Sequence, residues 1–554
     1  MKRLIYILSI TLFFTISCNE QEWLEEKAFD FNSANNSFTN EEQFESAVAR
    51  LYENIEPYKT FWPPFLGNAF IYTSDIAYDA IAITHQLNSY DDKLIAETEL
   101  PRRFWQEFYN SIFDANVIIG RIEEEGVTFS SEAKRQTIIA EARFFRAFYY
   151  RYLGILYGGV PLVLEELKEP KRDFVRATEE QVWDQCISDL TFAVQNLPEV
   201  ASQDGRVTSA AANHLLAEVY IIKKEYDKAI AAASSIINSS NYGLMTNRFG
   251  TKASEPGDVY GDLFRRGNQN RNGGVNRESI WVKQYEYNTV GGGQEYRLTW
   301  VYVPNYKLLK GDSDGKSLFI GPTSQNGGGG AGWGAPTDYL LNDVWASDPN
   351  DMRNSEHNII RDIIADNPES DYYGQKIVES GAIDNFPNTL SRWWSAIFAK
   401  TTPINDFPKE TFLDEETGLV SNLAENTFRD HYIFRLAETY LLRAEAHYLK
   451  GDLASAAADI NAIRDRANAT PVTAGEVDID YILDERAREL HFENPRLLTL
   501  MRTGKLVERV KLHDPMHNGK YANHGISPRH AKWPIPQSEI EKNTEAVLEQ
   551  NPGY

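Results

Sequence analysis

Several segments of the chain place apolar residues at helical spacing. In TNEEQFESAVARLYENIE (39–56), Phe44, Val48, Leu51, Tyr52 and Ile55 form one stripe. Thr39 followed three residues later by Glu42 has the form of a capping box, which sets the expected helix start. Residues 103–124 repeat the pattern with Phe104, Phe108, Ile112, Ala115, Ile119 and Ile122. Residues 132–157 are predicted to form a long aromatic helix that ends at the glycine pair Gly158–Gly159, and residues 178–196 another helix.

Two further helical segments resemble each other. AEVYIIKKEYDKAIAAASSII (217–237) aligns without a gap on AEAHYLKGDLASAAADINAIR (444–464), at a constant offset of 227 residues. Ala217 matches Ala444, Tyr226 matches Leu453, Ala229 matches Ala456 and Ile236 matches Ile463. This is the small-residue pattern of a tetratricopeptide-type helix pair, in which alanines let two helices approach closely. Copies so far apart are unlike a continuous solenoid. They predict helix pairs packed together around a long insertion.

Within the insertion helical spacing fades. Residues 243–345 hold 19 of the 35 glycines, a density that opposes long helices. SIWVKQYEYN (279–288) and LTWVYV (298–303) read as short strands, and QNGGGGAGWGAP (325–336) as a flexible loop carrying one tryptophan. Residues 346–430 are similarly irregular and include the pair Trp393–Trp394. A long irregular region inside a compact chain is usually functional.

Composition narrows the function classes. The chain has 554 residues, 80 acidic against 56 basic side chains and a net charge of -24, which argues against nucleic-acid binding and disfavours strongly anionic polymers. Two cysteines exclude a disulfide scaffold. Cys18 follows Lys2, Arg3, the apolar run Leu4 to Ile16 and the small residue Ser17. The run is too short for a membrane span and fits a signal peptide of the bacterial lipoprotein type, with Cys18 as the lipidated residue. Cys186 lies in a helical pattern and is expected to be a small core residue.

Chemical motifs are sparse. GDSDGKS (311–317) has three residues between its glycines where a phosphate loop needs four, and it fails the ligand spacing of a calcium loop. His513, His517, His524 and His530 cluster without an acidic or cysteine partner at fixed spacing, so they are expected to be solvated loop histidines. In ILDERARELHFE, Glu485 and Glu489 stand one turn apart as a catalytic pair might, but the charges around them are better placed to lock a helix to its neighbours.

Five segments, in order, together resemble the SusD/RagB family of outer-membrane nutrient-binding lipoproteins: AEARFFRAFYYRYLGILYGGVPLV (140–163), FRLAETYLLRAEAHYLKGD (434–452), INAIRDRANA (460–469), ILDERARELHFENPRLLTLMRTGKL (482–506) and WPIPQSEIEKNTEAVLEQNPGY (533–554). The resemblance implies a mostly α, SusD-like fold of tetratricopeptide-type helix pairs. A long glycine- and aromatic-rich insertion with short strands would interrupt it. The expected divisions are 1–17 signal peptide, 18–38 acidic leash, 39–242 N-terminal helical region, 243–430 insertion and 431–554 C-terminal region, with 39–554 one compact unit.

The family role it implies is non-catalytic and needs no cofactor or metal. It is to bind oligosaccharide or polysaccharide at the external face of the outer membrane, tethered by lipid, and to deliver it to a SusC-like TonB-dependent transporter. Aromatic faces would stack on sugar rings while polar side chains bond hydroxyls. Family members draw binding residues from the loops after the first helix and from the insertion. The candidates here are Trp62, Asp75, Tyr78, Arg297, Trp300, Tyr302 and Trp333. The alternative is a helical-repeat scaffold that binds protein or peptide only.

Overall fold

The computed structural model describes residues 38–55, 68–85, 88–271, 275–292, 297–521 and 525–554. The expected signal peptide, the lipidation residue Cys18, most of the leash, Trp62 and His524 lie outside the described residues.

The N-terminal region is built from helices α1 (Glu41–Glu53), α2 (Glu99–Arg121), α3 (Glu132–Tyr157), α4 (Glu179–Asn196), α5 (Ser209–Ile222) and α6 (Tyr226–Ile237). The start of α1 differs by one residue from the expected box. Asn40 is the cap, accepting from the Gln43 amide at 3.2 Å, while Thr39 instead meets the Gln43 side chain. Helix α2 begins at Glu99, earlier than its apolar stripe, because Pro101 is tolerated in a first turn whose amides have no helical partner.

Helix α3 is the centre of the body. Ser131 caps it, Gly158 ends it at φ 77°, and from Phe144 to Tyr157 every residue is buried. Phe144, Phe145 and Phe148 surround Trp281 with ring centroids 5.2, 5.8 and 5.3 Å apart. Burying each such side chain is worth about 1.5–3 kcal/mol. Gly154 lets α4 approach, since a Cβ there would stand 2.5 Å from the Trp183 ring. Cys186 on α4 is buried with its Sγ 3.6 Å from the Ala147 carbonyl, and burial pushes its thiol well up.

After the short helix α7 (Leu298–Tyr302), the C-terminal region adds α8 (Leu436–Lys450), α9 (Leu453–Arg466), α10 (Ile479–Leu490), α11 (Arg496–Arg502) and α12 (Leu506–His513). The two look-alike segments meet as the sequence predicts. Helix α5 packs on α6, α8 on α9, and α6 on α8. Ile221, Ala229, Leu442 and Ala446 share one buried cluster at that junction. The final residues return to the first helices: the Trp533 amide donates to the Leu156 carbonyl at 2.6 Å, and Asn551 Nδ2 to the Tyr157 carbonyl at 2.9 Å.

The strands are β1 (Ala77–Asp79), β2 (Ser279–Lys283), β3 (Gly334–Pro336), β4 (Ile359–Ile360), β5 (Ile397–Phe398), β6 (Phe412–Asp414), β7 (Leu419–Val420) and β8 (His431–Arg435). Among the described residues they pair antiparallel as β1–β3, β2–β8, β4–β5 and β6–β7.

Three expectations change. LTWVYV is a helical turn rather than a strand. The Thr299 amide donates to Thr427 Oγ1 and its hydroxyl to the Thr401 carbonyl, both at 3.1 Å, so tertiary bonds satisfy the segment in place of a neighbouring strand. QNGGGGAGWGAP is packed rather than loose: from Asn326 to Thr337 every residue except Trp333 is buried. His517 and His530 are both buried against Tyr90, at 5.2 and 5.3 Å, and burial lowers His530 to about 4. No group of three or more potential metal ligands forms among the described residues. Asp314 of the GDSDGKS turn is occupied with backbone amides of Lys316 and Asp371.

Helix α10 carries a fully buried charge network. Arg353 bonds Glu485 at 2.7 Å and Glu489 at 2.9 Å, Arg435 bonds Glu489 at 2.5 Å and Glu278 at 2.8 Å, and Arg464 and Arg488 each reach Glu485 at 2.8 Å. Burial raises both helix carboxyls, but the guanidinium groups outweigh it: Glu485 is held at about 2 and Glu489 lower still. These carboxylates lock α10 to its neighbours, as the charge spacing indicates.

Candidate functional site

The order of the site begins at Asp75. Its carboxylate is clasped by Arg496 at 2.8 and 2.7 Å and by Arg509 at 2.7 Å. Burial raises this carboxyl, yet the two guanidinium groups hold it well below the usual carboxylate range. The clasp ties the chain before β1 to α11 and α12. Strand β1 then pairs with β3, Asp79 opposite Gly334. The Ala80 amide donates to the Trp333 carbonyl at 2.7 Å, so β1 fixes the backbone beside β3.

The glycines around Trp333 make the close approach possible. A Cβ at Gly330 would lie 2.1 Å from the Val303 carbonyl oxygen, and one at Gly334 would lie 2.4 Å from the Tyr72 ring. Gly332 has φ 59°, and its Cβ would lie 2.1 Å from the Arg392 carbonyl oxygen. Side chains are excluded there, so the backbone runs flush against α7. The Ala331 amide donates to the Trp300 carbonyl at 2.8 Å and the Gly332 amide to the Val303 carbonyl at 3.0 Å.

This registration brings Trp300 and Trp333 together at a surface, both half-buried, with ring centroids 4.1 Å apart and planes 48° apart. The Arg297 guanidinium lies 5.7 Å from the Trp300 ring centre and 4.0 Å from Glu425. On the other side, Arg392 Nε donates to the Ala331 carbonyl at 3.2 Å and its guanidinium covers Trp393 at 5.1 Å. Among the described residues no carboxylate stands within ion-pair distance of Arg392. Burial raises the Asp79 carboxyl below this surface, against the pull of His85 at 2.5 Å and of Arg392. The result is an aromatic surface flanked by two arginines on a strongly acidic protein.

Of the expected contact residues, the structure unites Arg297, Trp300 and Trp333. Asp75, Tyr78 and Tyr302 are inside the protein. Asp75 is consumed by its two arginines; Tyr78 donates to the Leu390 carbonyl at 3.3 Å; Tyr302 packs edge-on against Tyr72 at 5.6 Å and close to Phe492 at 4.4 Å. These three support the surface from behind. Arg392 was missed by sequence reasoning. Its only signal was the neighbouring tryptophan pair, of which Trp393 is half-buried and Trp394 buried.

Two profiles of known families match the chain. One, described as the SusD family, covers residues 409–554; the other, described as starch-binding associating with outer membrane, covers residues 22–221. The chain thus resembles the SusD family towards both of its ends. It is 26% identical to SusD-like protein P25 of Formosa agariphila over 98% of both chains. It is similar to a solved laminarin-binding SusD-like protein at 24% identity and TM-score 0.64, covering 93% of this chain and all of that one. It is also similar to surface glycan-binding protein A from Bacteroides thetaiotaomicron, solved in complex with laminarihexaose, at 20% identity and TM-score 0.66, with the same coverage. The arginine and tryptophan surface falls between the two matched stretches, in a part of the chain that neither profile spans.

Proposed function

We propose that the protein binds an oligosaccharide or polysaccharide without cleaving it, on the surface formed by Trp300 and Trp333. The observation that carries this reading is the half-buried indole pair at 4.1 Å with Arg297 over one ring. Indole faces take up the C–H faces of sugars, and their 48° tilt offers two directions of contact rather than a flat shelf. The flanking guanidinium groups supply donors to ring oxygens and hydroxyls. The names of the laminarin- and laminarihexaose-binding relatives support the same class of ligand.

Anchored through a lipid on Cys18 at the external face of the outer membrane, the protein would pass its ligand to a SusC-like TonB-dependent transporter. The family description that refers to the outer membrane supports this placement. No helix among the described residues is long and apolar enough to cross a membrane. The test is isothermal titration with laminarin, starch and xylan oligosaccharides, before and after Trp333→Ala. Binding that Trp333→Ala abolishes supports the reading. Binding to none of these glycans or to any on a broad array, with peptide binding instead, overturns it in favour of the scaffold alternative.

A further inference from the structure

The turn that delivers Arg392 is strained. Leu390 has φ 55° and ψ 26°, and Ser391 follows with φ 55°, so two consecutive residues with side chains occupy the left-handed region. Such conformations persist only where the surroundings over-determine them, and they gather at binding sites. Here the surroundings do so. The Leu390 side chain is buried with Tyr78, Ala80, Ala335 and Met516, which keeps a leucine where glycine would be easier. Asn388 Oδ1 accepts from the Trp393 and Trp394 amides at 3.0 and 3.1 Å, and its Nδ2 donates to the Trp394 carbonyl at 2.7 Å. The Asn305 amide donates to the Arg392 carbonyl at 3.1 Å.

What this turn presents repeats the composition of the first surface. Trp393 stands 6.5 Å from Phe386, edge to face, both half-buried, with the Arg392 guanidinium over the indole. The first surface is likewise an aromatic pair with an arginine over one ring. Arg392 joins the two, because its Nε bonds Ala331 two residues before Trp333.

We propose that Phe386, Arg392 and Trp393 form a second saccharide subsite, so that the ligand is a chain long enough to lie across both aromatic pairs. The inference rests on the glycan-binding reading above. Trp393 would take a sugar face, and Arg392 would donate to hydroxyl or carboxylate oxygens of the unit between the pairs. Tyr78 and Asn388 would be positioning residues.

The experiment titrates a length series, from laminaribiose to laminarihexaose or the equivalent series of the glycan that ranks first on an array. It uses the whole protein, Trp393→Ala and Arg392→Gln, with thermal melting to confirm folding. In the native protein affinity should climb with length. In Trp393→Ala it should stop climbing, leaving the shortest binding fragment unchanged and the longest weakened about tenfold; Arg392→Gln should show the same pattern with a smaller gap. Trp333→Ala should weaken every length. Equal weakening by Trp393→Ala at all lengths, or at none, overturns the second subsite while leaving the first intact. No binding by any glycan overturns both.

Discussion

Two regions of this protein are rich in arginine and treat it in opposite ways. Around α10, guanidinium groups are fully buried and every one meets carboxylates. At the aromatic surface, Arg297 and Arg392 lie across indole rings, half-buried, with little anionic company. The first arrangement locks elements together and is closed to solvent, its carboxylates shared among several guanidinium groups. The second keeps donors and ring faces available. Burial and partner count, rather than residue type, separate scaffold from site.

The comparison can be broken in order of effect. Removing Glu489 leaves Arg353, Arg435 and Arg466 buried beside an absent charge, so Glu489→Ala should cost about 3–5 kcal/mol by urea unfolding. A loss below about 1 kcal/mol would mean that the network is not a lock.

Acid should loosen that network next, together with the Asp75 clasp. Glu485 and Asp75 have folded pKa values depressed below their unfolded ones, so their stabilisation is present above the ordinary carboxylate range and is lost as pH falls through the folded values. Unfolding midpoints should be level near neutrality and drop steeply from about pH 4 towards pH 2. A midpoint level down to about pH 2 would contradict this sign.

Effects at the surface should be smaller and should appear in binding. Trp333→Ala should weaken glycan binding by at least about tenfold, near 1.4 kcal/mol, with a smaller loss of melting temperature than Glu489→Ala. If stability falls as far as it does for Glu489→Ala, Trp333 belongs with the scaffold. Arg297→Ala should cost only about 0.5–1 kcal/mol of binding, the range of an exposed cation–π contact. A larger loss in calorimetry would place Arg297 in direct contact with the ligand.

The helical frame was legible because its signals are local. The aromatic stripe and the Gly158–Gly159 pair give α3 its length and its end, and the alanine pattern announces that helix pairs will pack together. The misread segments depend on residues far away in sequence. LTWVYV has strand-forming side chains but finds its hydrogen bonds at Thr401 and Thr427. The glycines at 327–334 were read as freedom, whereas Val303, Tyr72 and Arg392 leave room for nothing larger.

The same distance governs the site. Arg297, Trp300 and Trp333 could be picked out as aromatics and a cation in an irregular insertion. That Asp75 would be spent on Arg496 and Arg509 lay in residues more than four hundred positions onward. Only the tryptophan pair beside it marked Arg392 locally, because its role depends on a turn held by Tyr78 and Asn305.

The closing contacts at Leu156 and Tyr157 bear on how the protein is made. The carbonyls at the end of α3 accept from Trp533 and Asn551, residues synthesised long after that helix. The central helix therefore cannot complete these contacts until residues 533–551 have been delivered. A molecule lacking residues 533–551 leaves the Leu156 carbonyl without its Trp533 donor and the central helix unfinished at that end.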